Sequence, residues 1–160
     1  MRILDIVEGT SVDGPGLRTS IYMAGCRHAC KGCHNPGSWD FMGGQEMSLT
    51  EIMDVIREND FNVTLSGGDP LYHAKSVAEL CRTVKTELGK NIWCFTGFLW
   101  EEIVSSPTLS QVLPHLDVLV DGPFLNELRD TTLRFRGSSN QRIIDVQKTM
   151  AAKEIKLWQP

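Results

Sequence analysis

Apolar residues recur at two periods along this chain, and the two periods predict which segments are helices and which are strands. Apolar positions spaced three or four residues apart indicate helices, and short runs of β-branched and aromatic residues indicate strands. The predicted helices cover residues 48–59, 74–88, 99–105 and 109–113. The predicted strands cover residues 1–12, 17–24, 61–66, 91–96, 116–121 and 143–146.

Local signals at the ends of these segments support the same division. Ser48 and Glu51 form a capping-box pair at the start of the first helix, because the serine can cap a backbone amide while the glutamate reaches back. Gly89 follows the apolar stripe of the second helix and is expected to end it. From residue 48 onward helix and strand alternate, which predicts an α/β fold with a parallel sheet, helices outside it, and ligands at the carboxyl ends of the strands.

Four of the predicted strands end in residues that can bind or approach a ligand. Cys26, Gly67, Thr96 and Asp121 each stand at or just after such an end. Because the carboxyl ends of parallel strands share one edge of a sheet, we expect these residues to converge on one rim.

Length and composition narrow the class of protein. A chain of 160 residues suits a single domain spanning 1–160, in which the segment 147–160 is expected either to fray or to act as a docking peptide. The net charge of −4 argues against general electrostatic binding to nucleic acid. No run approaches the roughly 18 apolar residues of a membrane span. Free cysteines without an export signal indicate a reducing cytoplasm.

Three of the five cysteines lie close together in a segment without helical or strand periodicity. Cys26, Cys30 and Cys33 have the spacing C-x3-C-x2-C. Thiolates suit zinc or an iron–sulfur cluster. Since a cubane cluster has four irons, three cysteines would leave one iron without a protein ligand.

Other interpretations of the cysteines stay open at this point. A structural zinc site would need a fourth ligand, which His28 or His34 could supply, although such sites usually draw on two separated ligand pairs. A disulfide framework fits poorly with an odd cysteine count, and a simple ferredoxin would bring a fourth cysteine at family spacing. Cys81 and Cys94 lie on apolar segments and are expected to be small buried core residues.

Several ordered motifs together resemble a known family. The cysteine spacing is similar to the cluster loop of the radical S-adenosylmethionine (SAM) superfamily. The surrounding segments narrow the resemblance to the glycyl-radical-enzyme activases. These segments are 13–18 (Asp-Gly-Pro-Gly-Leu-Arg), 33–35 (Cys-His-Asn), 66–70 (Ser-Gly-Gly-Asp-Pro), 120–124 (Val-Asp-Gly-Pro-Phe) and 136–141 (Arg-Gly-Ser-Ser-Asn-Gln).

The resemblance implies a set of site residues and a fold. Cys26, Cys30 and Cys33 would bind a 4Fe-4S cluster whose open iron takes SAM. Gly67, Gly68 and Asp69 would receive the SAM amino group, while Thr96 and Asp121 would help to hold SAM or a monovalent cation. Gly32 stands where the superfamily often has an aromatic residue near the adenine, so His34 is the substitute that we expect. The implied fold is a partial, open (β/α) barrel with helices outside.

The resemblance also implies a reaction and its partners. An external one-electron donor, such as a flavodoxin or ferredoxin, would reduce the cluster, and SAM would be cleaved to a 5′-deoxyadenosyl radical. That radical would take a hydrogen atom from a glycine of the large subunit of anaerobic ribonucleoside-triphosphate reductase. The arginine-rich segment 128–142, with Arg129, Arg134, Arg136 and Arg142, would be a solvated face, a docking surface or a contact to the SAM carboxylate.

Two other functions remain as alternatives. One is a radical SAM enzyme that acts on a small molecule, of the modified-purine synthase type. The other is a zinc-stabilised binding module without enzymatic activity, which would lose its fold to chelators.

Overall fold

A seven-stranded sheet forms the centre of the protein, in the spatial order β3-β1-β2-β4-β5-β6-β7, and the computed structural model describes all residues 1–160. The strands are β1 (Arg2–Thr10), β2 (Arg18–Met23), β3 (Gln45–Glu46), β4 (Asn62–Gly67), β5 (Ile92–Phe95), β6 (Val118–Asp121) and β7 (Arg142–Asp145). The α-helices are α1 (Leu49–Arg57), α2 (Ala74–Leu88), α3 (Trp100–Ser105) and α4 (Val146–Ala152). The prediction of an α/β fold is therefore confirmed.

Only the centre of the sheet is parallel. β2, β4, β5 and β6 run parallel to one another, as helix–strand alternation predicts. β1 pairs antiparallel with both β2 and β3, and β7 pairs antiparallel with β6. The short connection between β1 and β2 contains no helix, and such a connection permits only an antiparallel pair. The sheet is open, with β3 and β7 as its edges.

The two faces of the sheet are covered differently. Ile21, Leu65, Cys94 and Leu119 point to one face and join the main apolar core with residues of α1, α2 and α3. Trp93, Val118 and Val120 point to the opposite face and pack with side chains from loops and from the C-terminal segment. Because side chains alternate along a strand, this division assigns the residues of the parallel strands to a helix-covered face or a loop-covered face.

The predicted helices are present with small changes. α1 begins with the expected capping box, in which the Glu51 amide donates to Ser48 Oγ at 3.2 Å and the Ser48 amide donates to Glu51 Oε2 at 2.7 Å. α2 ends at Gly89, whose φ is +62°. The segment predicted as a fourth helix is a 3₁₀ helix, Leu109–His115, and Pro114 inside it lacks the N–H that an α-helix would require.

The segment 147–160 is folded onto the sheet. It completes α4 and then returns along β7, where the Trp158 amide donates to the Ile143 carbonyl at 2.8 Å. The Trp158 ring packs edge-on against Trp93 with centroids 5.0 Å apart. The sequence of this segment shows no apolar period, and contacts with other elements hold it in place. None of the helices has the length and apolar character that crossing a bilayer requires.

Candidate functional site

A cavity of about 470 Å³ lies at the carboxyl ends of the parallel strands. Its wall includes Cys26 after β2, Gly67 at the end of β4, Thr96 after β5 and Gly122 after β6. The four strand ends therefore meet at one site, as expected from the order of elements. Phe95, Phe124 and Phe135 add aromatic surface to the same wall.

The three clustered cysteines all line this cavity. Cys26, Cys30 and Cys33 are free thiols of intermediate exposure, and the Cys33 amide donates to the Cys30 carbonyl at 3.1 Å. Gly32 has a φ of +76°, and a Cβ there would lie 2.6 Å from Asn126 Oδ1. An aromatic side chain at this position would strain the backbone and would have to displace the Asn126 side chain.

The donor set fits an iron–sulfur cluster better than a single metal ion. No three His, Cys, Asp or Glu side chains of the chain converge closely enough to hold one ion. In a cubane each thiolate binds its own iron, so three thiols around one cavity need not meet at a point. Burial raises the pKa of the Cys26 thiol, so binding metal there must also displace a proton.

Gly67 and Gly68 bring bare backbone to the cavity wall. Gly67 has a φ of +105°, and a Cβ on it would clash with the Met23 backbone. A Cβ on Gly68 would lie 2.5 Å from the Gly25 carbonyl oxygen. The end of β4 therefore packs directly against the end of β2 and against Gly25, which precedes the cysteine loop of residues 26–34. Only glycine fits at either position.

Asp69 does not line the cavity, although the sequence groups it with the two glycines. Its side chain is 1% exposed and is surrounded by donors. Oδ1 accepts from the Leu71 amide at 2.9 Å. Oδ2 accepts from Thr96 Oγ1 and from the Gly97 amide, both at 2.9 Å, and contacts His28 Nε2 at 2.7 Å.

Asp121 lies on the helix-covered face of the sheet, outside the cavity. It follows the alternation of β6, in which Leu119 points to the helices and Val120 to the loops. The fully buried carboxylate accepts from Arg142 Nε at 3.0 Å and from the Trp100 amide at 2.7 Å. Arg142 also donates to Glu101, so its guanidinium is held between two carboxylates of the chain.

The remaining predicted residues, Thr96 and His34, do line the cavity. Thr96 is nearly buried, and its Oγ1 donates to Asp69 Oδ2. The His34 ring lies 5.0 Å from the Phe124 ring, measured between centroids. Of the arginines of segment 128–142, Arg136 also reaches the wall, and its Nη1 donates to the Gln141 carbonyl at 2.7 Å.

Two features of the site are not evident from the sequence. Tyr22 and Asp13 both line the cavity, and the tyrosine hydroxyl donates to the Asp13 carboxylate. His28 reaches Asp69, a residue 41 positions away along the chain. The alternation of β2 could have placed Tyr22 on the cavity side with Ser20, whereas no pattern in the sequence links His28 to Asp69.

Comparisons with known proteins agree with this site. A family model described as a 4Fe-4S single cluster domain matches residues 12–144. A protein of Vibrio cholerae is 42% identical over 141 residues, which cover 82% of this chain and 90% of the relative. A protein of Haemophilus influenzae is 37% identical over 152 residues, which cover 89% and 97%. One of Escherichia coli is 38% identical over 141 residues, which cover 81% and 89%.

All three relatives carry the name anaerobic ribonucleoside-triphosphate reductase-activating protein. The family model spans every strand of the parallel centre and all three cavity cysteines. The chain therefore belongs to the family of anaerobic ribonucleoside-triphosphate reductase-activating proteins and contains its 4Fe-4S domain.

Proposed function

We propose that this protein activates an anaerobic ribonucleoside-triphosphate reductase by forming a glycyl radical on its large subunit. The observation that carries the proposal is the cavity in which three free cysteines face the glycine pair of β4 and the end of β5. A bound 4Fe-4S cluster and SAM would supply one-electron cleavage of SAM to methionine and a 5′-deoxyadenosyl radical, which takes a hydrogen atom from a glycine α-carbon of the partner.

The residues of the chain would bind and orient these groups. Cys26, Cys30 and Cys33 would each ligate one iron and leave the fourth iron for SAM. Backbone carbonyls at Gly67 and Gly68 would approach the SAM amino group, because neither residue has a side chain to hold it away. Phe95 and Phe124 would exclude water from the wall, where the tilted His34 ring packs against Phe124 and could extend that surface to the adenine.

The open sheet suits a partner that is a protein. Its central parallel strands and outer helices fit a partial (β/α) barrel of the radical SAM type. The cavity at the carboxyl ends of the strands would admit a flexible glycine-bearing segment. A one-electron donor such as a flavodoxin or ferredoxin would complete the reaction in the cytoplasm.

Cluster assembly and SAM binding can be tested on the same sample. The protein is reconstituted anaerobically with iron and sulfide, reduced, and measured by electron paramagnetic resonance with and without SAM. We expect a reduced-cubane signal that changes when SAM is added, followed by a glycyl radical signal when the reductase large subunit is present. A colourless protein with stoichiometric zinc would contradict the proposal and favour the binding module.

Cysteine variants identify the ligands. We expect Cys26→Ala, Cys30→Ala and Cys33→Ala each to lose the cluster signal and all activation, because each removes one thiolate ligand. Cys81→Ala is the matched control, because Cys81 is buried in the main core and its loss should leave the iron content unchanged. Loss of iron in the control, or retention of the native signal in a ligand variant, would show that the ligand assignment is wrong.

A further inference from the structure

His28 lies inside the cysteine loop and is enclosed by a pocket on the body of the protein. Its ring packs against Phe98 and Tyr72, with centroids 4.6 Å and 5.4 Å away. A Cβ on Gly97 would lie 2.5 Å from the ring, so the glycine lets the imidazole rest directly on the backbone after β5. The histidine side chain is 16% exposed and is therefore largely removed from solvent.

The pocket contains one hydrogen-bond partner for the ring, the Asp69 carboxylate. Because a carboxylate oxygen only accepts, His28 Nε2 is the donor in the 2.7 Å contact with Asp69 Oδ2. The same oxygen accepts from Thr96 Oγ1 and the Gly97 amide. One buried oxygen thus joins the cysteine loop to the residues that follow β5.

Among the side chains of residues 26–34, only His28 makes a hydrogen bond to another element. Backbone hydrogen bonds hold only the start of the loop: the Cys26 amide donates to the Trp39 carbonyl at 3.3 Å, and the Asp69 amide donates to the carbonyl of Gly25, just before the loop, at 2.9 Å. The other neighbours are non-directional: Arg27 lies over the Phe41 ring at 5.2 Å, and the Asn126 side chain packs against Gly32. Such contacts limit where the loop lies but do not fix its orientation.

Building on the function proposed above, we propose that His28 is a positioning residue that fixes the cysteine loop on the ends of β4 and β5 through Asp69. The three thiols are thereby held around the cavity before a cluster enters, which lowers the ordering cost of binding. Asp69 then acts through the loop and through Thr96.

Two substitutions separate the hydrogen bond from the ring packing. His28→Phe keeps an aromatic ring beside Phe98 and Tyr72 but leaves Asp69 without one donor. His28→Gln removes the ring but carries an N–H₂ at about the position of Nε2. His115→Phe and His115→Gln are matched controls, since His115 lies in the helix layer at the end of the 3₁₀ helix.

The first measurement is iron release from the reconstituted full-length protein to a chelator, with the resonance spectrum recorded with and without SAM. We expect His28→Phe to release iron about 10-fold faster or more, in line with other residues that orient metal ligands. Its spectrum should also respond less to SAM. His28→Gln should release iron within about 3-fold of the rate of the unsubstituted protein. Both His115 variants should release iron at the rate of the unsubstituted protein. Equal release from His28→Phe and the unsubstituted protein would overturn the proposal.

Hydrogen–deuterium exchange of the full chain tests the same idea without the cluster. We expect His28→Phe, but not His28→Gln, to speed amide exchange in residues 26–34 while leaving exchange in α2 unchanged. Unchanged exchange in that segment would refute the role of His28 even if the protein binds cluster and SAM. Failure of the unsubstituted protein to assemble a cluster would instead refute the proposed function. The two failures are distinguishable, because the exchange measurement does not require a cluster.

Discussion

Arg18 is fully buried, and every hydrogen bond of its guanidinium goes to a neutral oxygen. Nε donates to Thr64 Oγ1 at 2.6 Å and Nη1 to the Pro15 carbonyl at 3.3 Å, while Thr64 Oγ1 donates to the Asp13 carbonyl at 2.9 Å. A Cβ on Gly14 would lie 2.8 Å from Arg18 Cδ. The Asp-Gly-Pro-Gly turn therefore rests on the arginine, which explains in physical terms why the two occur together in one segment.

Replacing this arginine should cost stability. Arg18→Lys keeps a positive charge but cannot reproduce the planar set of donors that reaches Thr64, the Val63 carbonyl and Asn91. We expect the free energy of unfolding to fall by about 1–3 kcal/mol, the cost of leaving a buried polar group unsatisfied. Urea denaturation measures this change in the free energy of unfolding, and Arg57→Lys on the exposed surface is the control. Equal losses in both variants would contradict this account.

Buried cysteines should make stability depend on alkaline pH. Burial raises the pKa of Cys81 from 9.0 to about 12. Between these values the unfolded chain has lost the proton and the folded chain has kept it, so stability falls as pH rises. The slope for one such thiol approaches about 1.4 kcal/mol per pH unit.

Denaturation from about pH 8 to about pH 11 tests this directly. We expect Cys81→Ala to unfold with a shallower dependence on pH than the unsubstituted chain, because the alanine has no proton to lose. Burial raises the pKa of Cys94 in the same direction, so a second variant, Cys94→Ala, should flatten the curve further. Superimposable slopes in all three proteins would show that these thiols ionise equally in both states.

At the scale of elements, Arg142 joins β7 to β6 and α3. It bonds the fully buried Asp121 on one side and the exposed Glu101 on the other, and these two hydrogen bonds raise the pKa of its guanidinium. Asp121 has one further partner, the Trp100 amide at the start of α3. The carboxylate thus fixes three elements together on the helix-covered face.

Removing the arginine should leave a buried charge without its partner. We expect Arg142→Met to lower the free energy of unfolding by about 3 kcal/mol, the lower end of the range for breaking a buried ion pair. Glu101→Gln removes only the exposed partner and should cost less than about 1 kcal/mol. Thermal and urea unfolding give both values. If Arg142→Met were as stable as Glu101→Gln but bound SAM more weakly, a ligand role for this pair would be supported instead.

The sequence predicts an element well when neighbouring residues determine it, and poorly when contacts between distant residues do. α2 follows from one apolar stripe and a terminating glycine, and its bounds are those predicted. The direction of the Asp121 side chain depends on the alternation along β6, which places it on the same face as Leu119. A motif match does not take this alternation into account. The His28–Asp69 contact and the path of the C-terminal segment arise only when distant parts of the chain meet, so no local pattern contains them.

At the scale of the whole molecule, the C-terminal segment covers the face of the sheet that the helices leave open. Trp158 is half-buried against Trp93 and Phe135, with centroid distances of 5.0 Å and 6.4 Å. These rings belong to the apolar cluster on that face. The segment is consequently part of the folded domain and would have to detach before it could dock elsewhere.

Truncating this tryptophan tests the contribution of the segment. We expect Trp158→Ala to lower the free energy of unfolding by about 2 kcal/mol, less than for a fully buried tryptophan. Leu157→Ala changes a neighbouring side chain that is 59% exposed and should have an effect below about 0.5 kcal/mol. Chemical denaturation followed by tryptophan fluorescence compares them. No difference between the two variants would mean that the segment is not packed in solution.

The crowding around Gly67 and Gly68 has a consequence for engineering. A side chain on Gly67 would meet the Met23 backbone at the end of β2, and one on Gly68 would meet the backbone of Gly25 and Ser38, so this wall cannot be reshaped by substitution. The facing wall comes from the single connection between β6 and β7, which contributes Phe124, Phe135 and Arg136. Libraries or chimeras that aim at a new substrate should therefore exchange residues 122–141 as one cassette and leave the strand ends untouched.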